Sequence, residues 1–189
     1  MLCGQRRFVE GDQFFGIQAE ILLGERVAVT ETGTLEVVGQ HVRHAGGGGA
    51  AVDVAAACTG FIYALSVAHG WIQTGIAKRI IVIGAETMSR IVDWTDRGTC
   101  ILFGDGAGAV ILEASDDASR GIRAISLEAA GEHGSLLGTN GGTSSTQTSG
   151  KLLMEGQEVF RHGVEKMSAI TLSTLVKAGL NIDDVDWLV

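Results

Sequence analysis

The chain has 189 residues, of which 46% are hydrophobic, with a mean hydropathy of +0.27, enough to bury a core in one domain. A formal charge of −8 and a pI near 5.0 argue against a nucleic-acid partner, which would want a basic face. No apolar run approaches the ~20 residues that cross a bilayer, and the start MLCGQRRFVEGDQFF lacks the apolar centre of a secretory signal, so a cytosolic protein is expected.

Three cysteines, Cys3, Cys58 and Cys100, have no C-x-x-C spacing and suggest neither a disulfide framework nor a zinc site. Glycine is abundant at 28 and proline is absent, where about 9 would be usual at average frequency. A missing proline fits a chain that is part of a longer one.

In chain order, GIQAEILLGERVAVT reads as a helix followed by a strand. HVRHAGGGGA is loop-like, because four glycines in a row carry a large backbone entropy cost. His41 and His44 have a spacing that can share a metal on a helix, but without a third ligand nearby the preferred reading is a solvated basic loop. AVDVAA, from Ala51, is a short apolar strand. Phe61, Leu65, Ala68 and Ile72 then recur at helical spacing, with Gly75 as the stop. RIIVIGAE from Arg79 has an unbroken apolar centre, as in a strand covered on both faces. AGAVILEAS from Ala107 and GIRAISLEAAG from Gly121 read as further strands. TNGGTSSTQTSG, residues 139–150, is a polar loop. Phe160, Val164, Met167, Leu175 and Ala178 mark a second long helix ending near Gly179, and VDWLV begins one more strand. Buried apolar strands alternating with helices predict an α/β fold.

Cys58 stands where VDVAAA ends and TGFIYAL begins. A thiolate is the nucleophile, and the N-terminus of a helix favours negative charge. The alanines keep the approach narrow, and Gly60 lets backbone or substrate come close, which is the logic of a nucleophile elbow with sulfur in place of oxygen. A buried structural cysteine is the competing reading, and spacing alone does not separate the two. Gly104-Asp-Gly-Ala-Gly108 lacks dinucleotide-fingerprint spacing and is followed by a strand, so it reads as a structural turn rather than a phosphate loop. Cys100, in CILF, reads as core. Glu86, Thr87 and Ser89 follow or end a strand near the expected site, with no role that spacing assigns.

The segments VDVAAACTGFIYALSVAHGWIQTG, RIIVIGAETMSR, DWTDRGTCILFGDGAGAVILEAS, MEGQEVFRHGVEKM and DVDWLV resemble, in that order, β-ketoacyl-(acyl carrier protein) synthase III, a condensing-enzyme family of the thiolase superfamily. The likeness runs from about Ala51 to Val189, and residues 1–50 do not match. The resemblance implies the first half of a thiolase-like fold, a mixed sheet flanked by helices. The nucleophile-bearing half would span 51–180, and a barely started second half 181–189.

The resemblance further implies roles. Cys58 would take an acyl group from a short acyl-CoA, with its own backbone N–H in an oxyanion hole. Malonyl-acyl carrier protein would then condense with the thioester to give a 3-oxoacyl chain. Arg97, in TDRGT, would hold the adenine end of CoA. A surface arginine paired with Asp93 or Asp96 is the plainer reading of the same residue. Gly156, Gln157 and Phe160 would line the pantetheine channel, although the family often has asparagine at Gln157's position and Phe160 also fits helix core. The family's histidine and asparagine come from a Pro-His-Gln-Ala-Asn motif that none of His41, His44, His69, His133 and His162 matches; His69 reads as a surface residue. Without that pair the condensation step should be crippled. CoA thioester enters as substrate, and neither a resident cofactor nor a metal is expected. A homodimer pairing the strand at Val52–Ala55 across a two-fold is implied, as is a broad exposed apolar face that promotes aggregation or dependence on a partner. The competing functions are a polyketide starter or hydroxymethylglutaryl-CoA synthase-like enzyme, and an inactive remnant.

Overall fold

The computed structural model describes residues 2–7, 19–22, 28–30, 51–117, 120–142 and 144–189. His41, His44 and the glycine run lie outside them. The chain divides into two compact units, Met1–Ile122 and Arg123–Val189.

The first unit holds a six-stranded mixed sheet. Its strands are β1 (Leu2–Arg7), β2 (Ala19–Leu22), β3 (Ala28–Thr30), β4 (Ala51–Val54), β5 (Arg79–Glu86) and β6 (Gly106–Ala114). Their order is β1-β6-β5-β2-β3-β4, with a further β2–β4 pairing. The helix expected over GIQAEILL is instead strand at Ala19–Leu22, because its backbone pairs with β4 and β5 on either side; the strand expected after it is present as β3. Strand β4 is bonded to β2 and to β3 and stands last in the sheet order.

Helix α1 (Gly60–Gln73) lies between β4 and β5 in sequence and packs on the sheet. Its buried positions are Gly60, Ala64, Ala68 and Ile72, four residues apart, and the three small residues among them let the helix settle close. Phe61 and Leu65, expected on the buried face, flank it and pack against the same cluster. Ile80 and Val82 alternate along β5, with Leu112 of β6 beside them, and complete the core. Ile81 and Ile83 on the opposite face of β5 are half-buried, so that face is less fully covered than the apolar run predicts. Gly75, at φ 73°, ends α1 in the left-handed conformation that glycine adopts without strain.

The second unit contains the hairpin β7 (Leu137–Thr139) and β8 (Leu152–Met154), and helix α2 (Gly156–Ala178). The polar loop forms the hairpin's connection, and Gly179 at φ 70° stops α2 where the sequence places its end. Two expected strands are absent. Gly121–Gly131 forms no ladder, and the Ile125 carbonyl accepts a bond from Lys177 Nζ at 2.6 Å instead. VDWLV likewise has no strand partner among the described residues, and Trp187 and Leu188 are exposed. Apolar β-branched runs become strands only where a neighbouring backbone pairs with them.

Candidate active site

The sheet register gathers three segments at one edge. Ala19 of β2 faces Val54 of β4 and Gly84 of β5, so β4 and β5 run parallel, and β5 ends two residues beyond the level at which β4 ends. Glu86, the last residue of β5, pairs with Gly106, the first of β6. The turn carrying Cys58, the turn after β5 and the Gly104-Asp105 entry to β6 therefore share that edge. In open α/β sheets, ligands bind outside the carboxyl ends of parallel strands.

Cys58 is exposed, in a 3-10 turn (Ala57–Thr59) that joins β4 to α1. The strand stops at Val54, earlier than AVDVAA suggests, and the intervening turn turns the chain sharply. Ala57, directly before the cysteine, has φ 47°. A left-handed alanine costs about 1–2 kcal/mol and persists only where its surroundings enforce it. Thr59 stands at the N-cap of α1, but its hydroxyl donates back to the Ala56 carbonyl at 2.9 Å rather than capping the helix. The first turn of α1 also holds no acidic residue. Neither a side-chain cap bond nor an acidic residue of its own first turn offsets the positive end of the helix, which favours negative charge next to Cys58.

The segments around this edge are fixed by aspartates. Asp105 accepts from Ser89 N at 2.7 Å and Ser89 Oγ at 2.6 Å, which ties the turn after β5 to the start of β6. Asp93 accepts from Thr95 N and Oγ1. Asp96 accepts from Gly98 N at 2.9 Å and Thr99 Oγ1 at 2.7 Å. Arg97 stands exposed between these groups. The ion pairs among the described residues join Arg79 to Glu113 and Glu158 to Arg161 and His162, so Arg97 is in none of them, and Asp96 spends its carboxylate on its own turn. Asp105, Ser89, Asp96 and Thr99 were not legible as a set, although Asp96 and Thr99 show the short spacing of an Asx turn. Of the stretch expected to be a turn, Gly104 and Asp105 precede the strand, whereas Gly106, Ala107 and Gly108 are the first residues of β6 and pair with Glu86, Ala85 and Gly84.

Gly156, Gln157 and Phe160 belong to the second unit, on the first turns of α2. All three are exposed, Phe160 at 73%, and α2 has no buried residue, so the core reading of Phe160 is set aside. Cys100 is half-buried and its neighbours Ile101 and Leu102 are exposed, so CILF is a turn and not core. His69 is half-buried rather than on the surface: its Nδ1 is shut off from water with no hydrogen-bond partner among the described residues, and burial holds its pKa below the usual histidine value. His133 and His162 stack with ring centroids 3.9 Å apart. No group of three or more metal-ligating side chains occurs among the described residues.

Residues 52–131 match the sequence model of the 3-oxoacyl-(acyl-carrier-protein) synthase III family. A curated beta-ketoacyl-(acyl-carrier-protein) synthase III from Rhizorhabdus wittichii is 55% identical over 139 residues, 74% of this chain and 44% of that protein. One from Dinoroseobacter shibae is 56% identical over 145 residues, 75% of this chain and 45% of that protein. The crystal structure of the synthase III from Pseudomonas aeruginosa superposes with a TM-score of 0.72 at 31% identity, covering 85% of this chain and 52% of that one. The chain belongs to the synthase III family. Its fold is the family's thiolase-like α/β fold, and it spans about half the length of the curated relatives it matches. The stretch matched by the family model contains Cys58 and Arg97, while Gly156, Gln157 and Phe160 lie beyond it. No helix among the described residues is long and apolar enough to cross a membrane.

Proposed function

We propose that this chain acts in synthase III chemistry, as an acyltransferase that loads a short acyl group from acyl-CoA onto Cys58 for condensation with malonyl-acyl carrier protein at the start of fatty-acid synthesis. The observation that carries the reading is the seat of Cys58. It is an exposed thiol on a left-handed turn, at the uncapped and acid-free start of α1, inside the family-matched stretch.

In the loading step the Cys58 sulfur bonds to the acyl carbonyl carbon, and the thioester bond to CoA breaks. CoA leaves as its thiolate, and the thiol proton passes to solvent. The backbone N–H of Cys58 itself would donate to the oxyanion that forms in between. In the condensing step the malonyl group on the carrier loses CO2, its carbanion attacks the thioester carbon, and the Cys58 thiolate is released. The nucleophile and the oxyanion donor are chain atoms, and CoA thioester enters as substrate. Arg97 would hold the adenine end of CoA, since a guanidinium both stacks on a base and pairs with phosphate. Gly156, Gln157 and Phe160 would contact pantetheine. Cytoplasmic location, a homodimer and residues 51–180 as the functional half complete the proposal.

Radiolabelled acetyl-CoA tests it. Label is expected on Cys58, and Cys58→Ala is expected to lose it entirely. Label without 3-oxoacyl product, when malonyl-acyl carrier protein is added, would assign loading alone to these 189 residues. Absence of label on the unmodified, folded chain would sink the reading.

A further inference from the structure

We propose that Asp96 is the positioning residue for Arg97: its carboxylate bridges the buried Thr99 to the turn that carries the arginine and so holds the backbone from which that side chain leaves. The proposal rests on the reading of Arg97 as a CoA contact and goes beyond it.

The bridge has two ends. At the outer end, Asp96 Oδ1 accepts from Gly98 N at 2.9 Å, a turn that closes over Arg97. At the inner end, Oδ2 accepts from Thr99 Oγ1 at 2.7 Å. Thr99 is fully buried, at 0% exposure, and is the buried polar side chain among the described residues. The Asp96 backbone adds to this anchoring: its carbonyl accepts from Thr99 N at 3.2 Å and Cys100 N at 3.0 Å, and its N–H donates to the Asp93 carbonyl at 3.0 Å. Arg97 is thus an exposed residue on a turn pinned from both sides. Gly98 fits the same device, since a Cβ there would sit 3.1 Å from Asp96 Oδ1.

The bridge has a second consequence. A carboxylate next in sequence to an arginine is its most available ion-pair partner, and such a pair would compete with a phosphate ligand. Here both carboxylate oxygens are occupied by the Gly98 N–H and the Thr99 hydroxyl. Arg97 is exposed and in none of the ion pairs among the described residues, so its planar guanidinium is available for bidentate recognition of a base or phosphate.

A double-mutant cycle on the full chain, with CoA as the probe and calorimetric Kd as the readout, separates positioning from mere stability. Arg97→Ala should weaken CoA binding, and Asp96→Ala should weaken it roughly three- to tenfold, toward the low end of what coupled neighbours show. The double variant should bind no more weakly than Arg97→Ala alone, because Asp96 has nothing left to position. Asp96→Asn, which retains an acceptor for Gly98 N, should recover most of the affinity. If Asp96→Ala fails to fold, Thr99→Val removes the inner anchor at nearly constant shape and should show the same non-additivity. Additive losses, or an Asp96→Ala chain with unchanged affinity, would overturn the positioning role while leaving Arg97 as a contact. Unchanged affinity in Arg97→Ala, or no CoA binding at all, would instead remove the underlying reading, and the proposal with it.

Discussion

His69 carries the clearest electrostatic signature among the described residues. Its Nδ1 is buried and lacks a hydrogen-bond partner there, and burial lowers its pKa from the usual 6.5. The folded state therefore binds this proton less readily than the unfolded state does. Stability from the neutral imidazole is fully present above about pH 6.5 and is lost as the pH falls below it, because the unfolded chain takes up the proton first. The melting temperature is expected to drop between pH 7.5 and 5.5, and His69→Phe should flatten that part of the profile. An identical slope in the variant would show that carboxylates elsewhere set the acid sensitivity. The sequence placed His69 on the surface because it lies on or near the polar side of α1, and only the packing of that helix reveals the buried nitrogen. Cys58 was legible for the opposite reason: its motif is local and its neighbours Ala57 and Thr59 build the turn themselves.

At the scale of elements, the hairpin β7–β8 shows what glycine counts hide. A Cβ on Gly141 would stand 2.6 Å from Gly150 Cα, and one on Gly150 would stand 2.6 Å from Asn140 Oδ1. Asn140 closes the same crossing by accepting from Lys151 N at 2.8 Å. No flexible side chain can yield at Gly141, so the two backbones must part. Gly141→Ala is expected to cost about 1–3 kcal/mol of overpacking, read as a lowered denaturant midpoint. Gly163, inside α2 with nothing within 4 Å of its would-be Cβ, is the contrast: Gly163→Ala should stabilise the chain by about 0.5–1 kcal/mol. The order of elements from Ala51 to β6 was legible because period, breakers and β-branched runs agree there. The run from Gly121 and the VDWLV end were not, because their apolar residues resemble strands while strandness depends on a partner backbone that sequence does not display. The same limit hid β2, whose short AEIL segment is helix-compatible and is strand because two neighbours pair with it.

For the whole molecule the telling quantity is apolar surface left in water. Phe160 and Met167 are 73% and 70% exposed, and Val164, Leu172 and Val176 on the same helix are also exposed. Helical periodicity correctly places Phe160, Val164 and Met167 together, but periodicity says only that a face is apolar and not what covers it. Burying one such side chain is worth about 1.5–3 kcal/mol, so two or three of them supply enough free energy to bring copies together. The formal charge of −8 opposes this at long range, and salt screens that repulsion. Concentration-dependent self-association is therefore expected in sedimentation velocity, stronger at high salt. The double variant Phe160→Gln with Met167→Gln should shift the chain toward monomer. Its melting temperature at low concentration should change little, since neither side chain is buried and both replacements suit a helix. A monodisperse monomer at high concentration and high salt would show that α2's apolar face is too dispersed to drive association. A variant that melts much earlier would show that these side chains support the fold of the second unit directly.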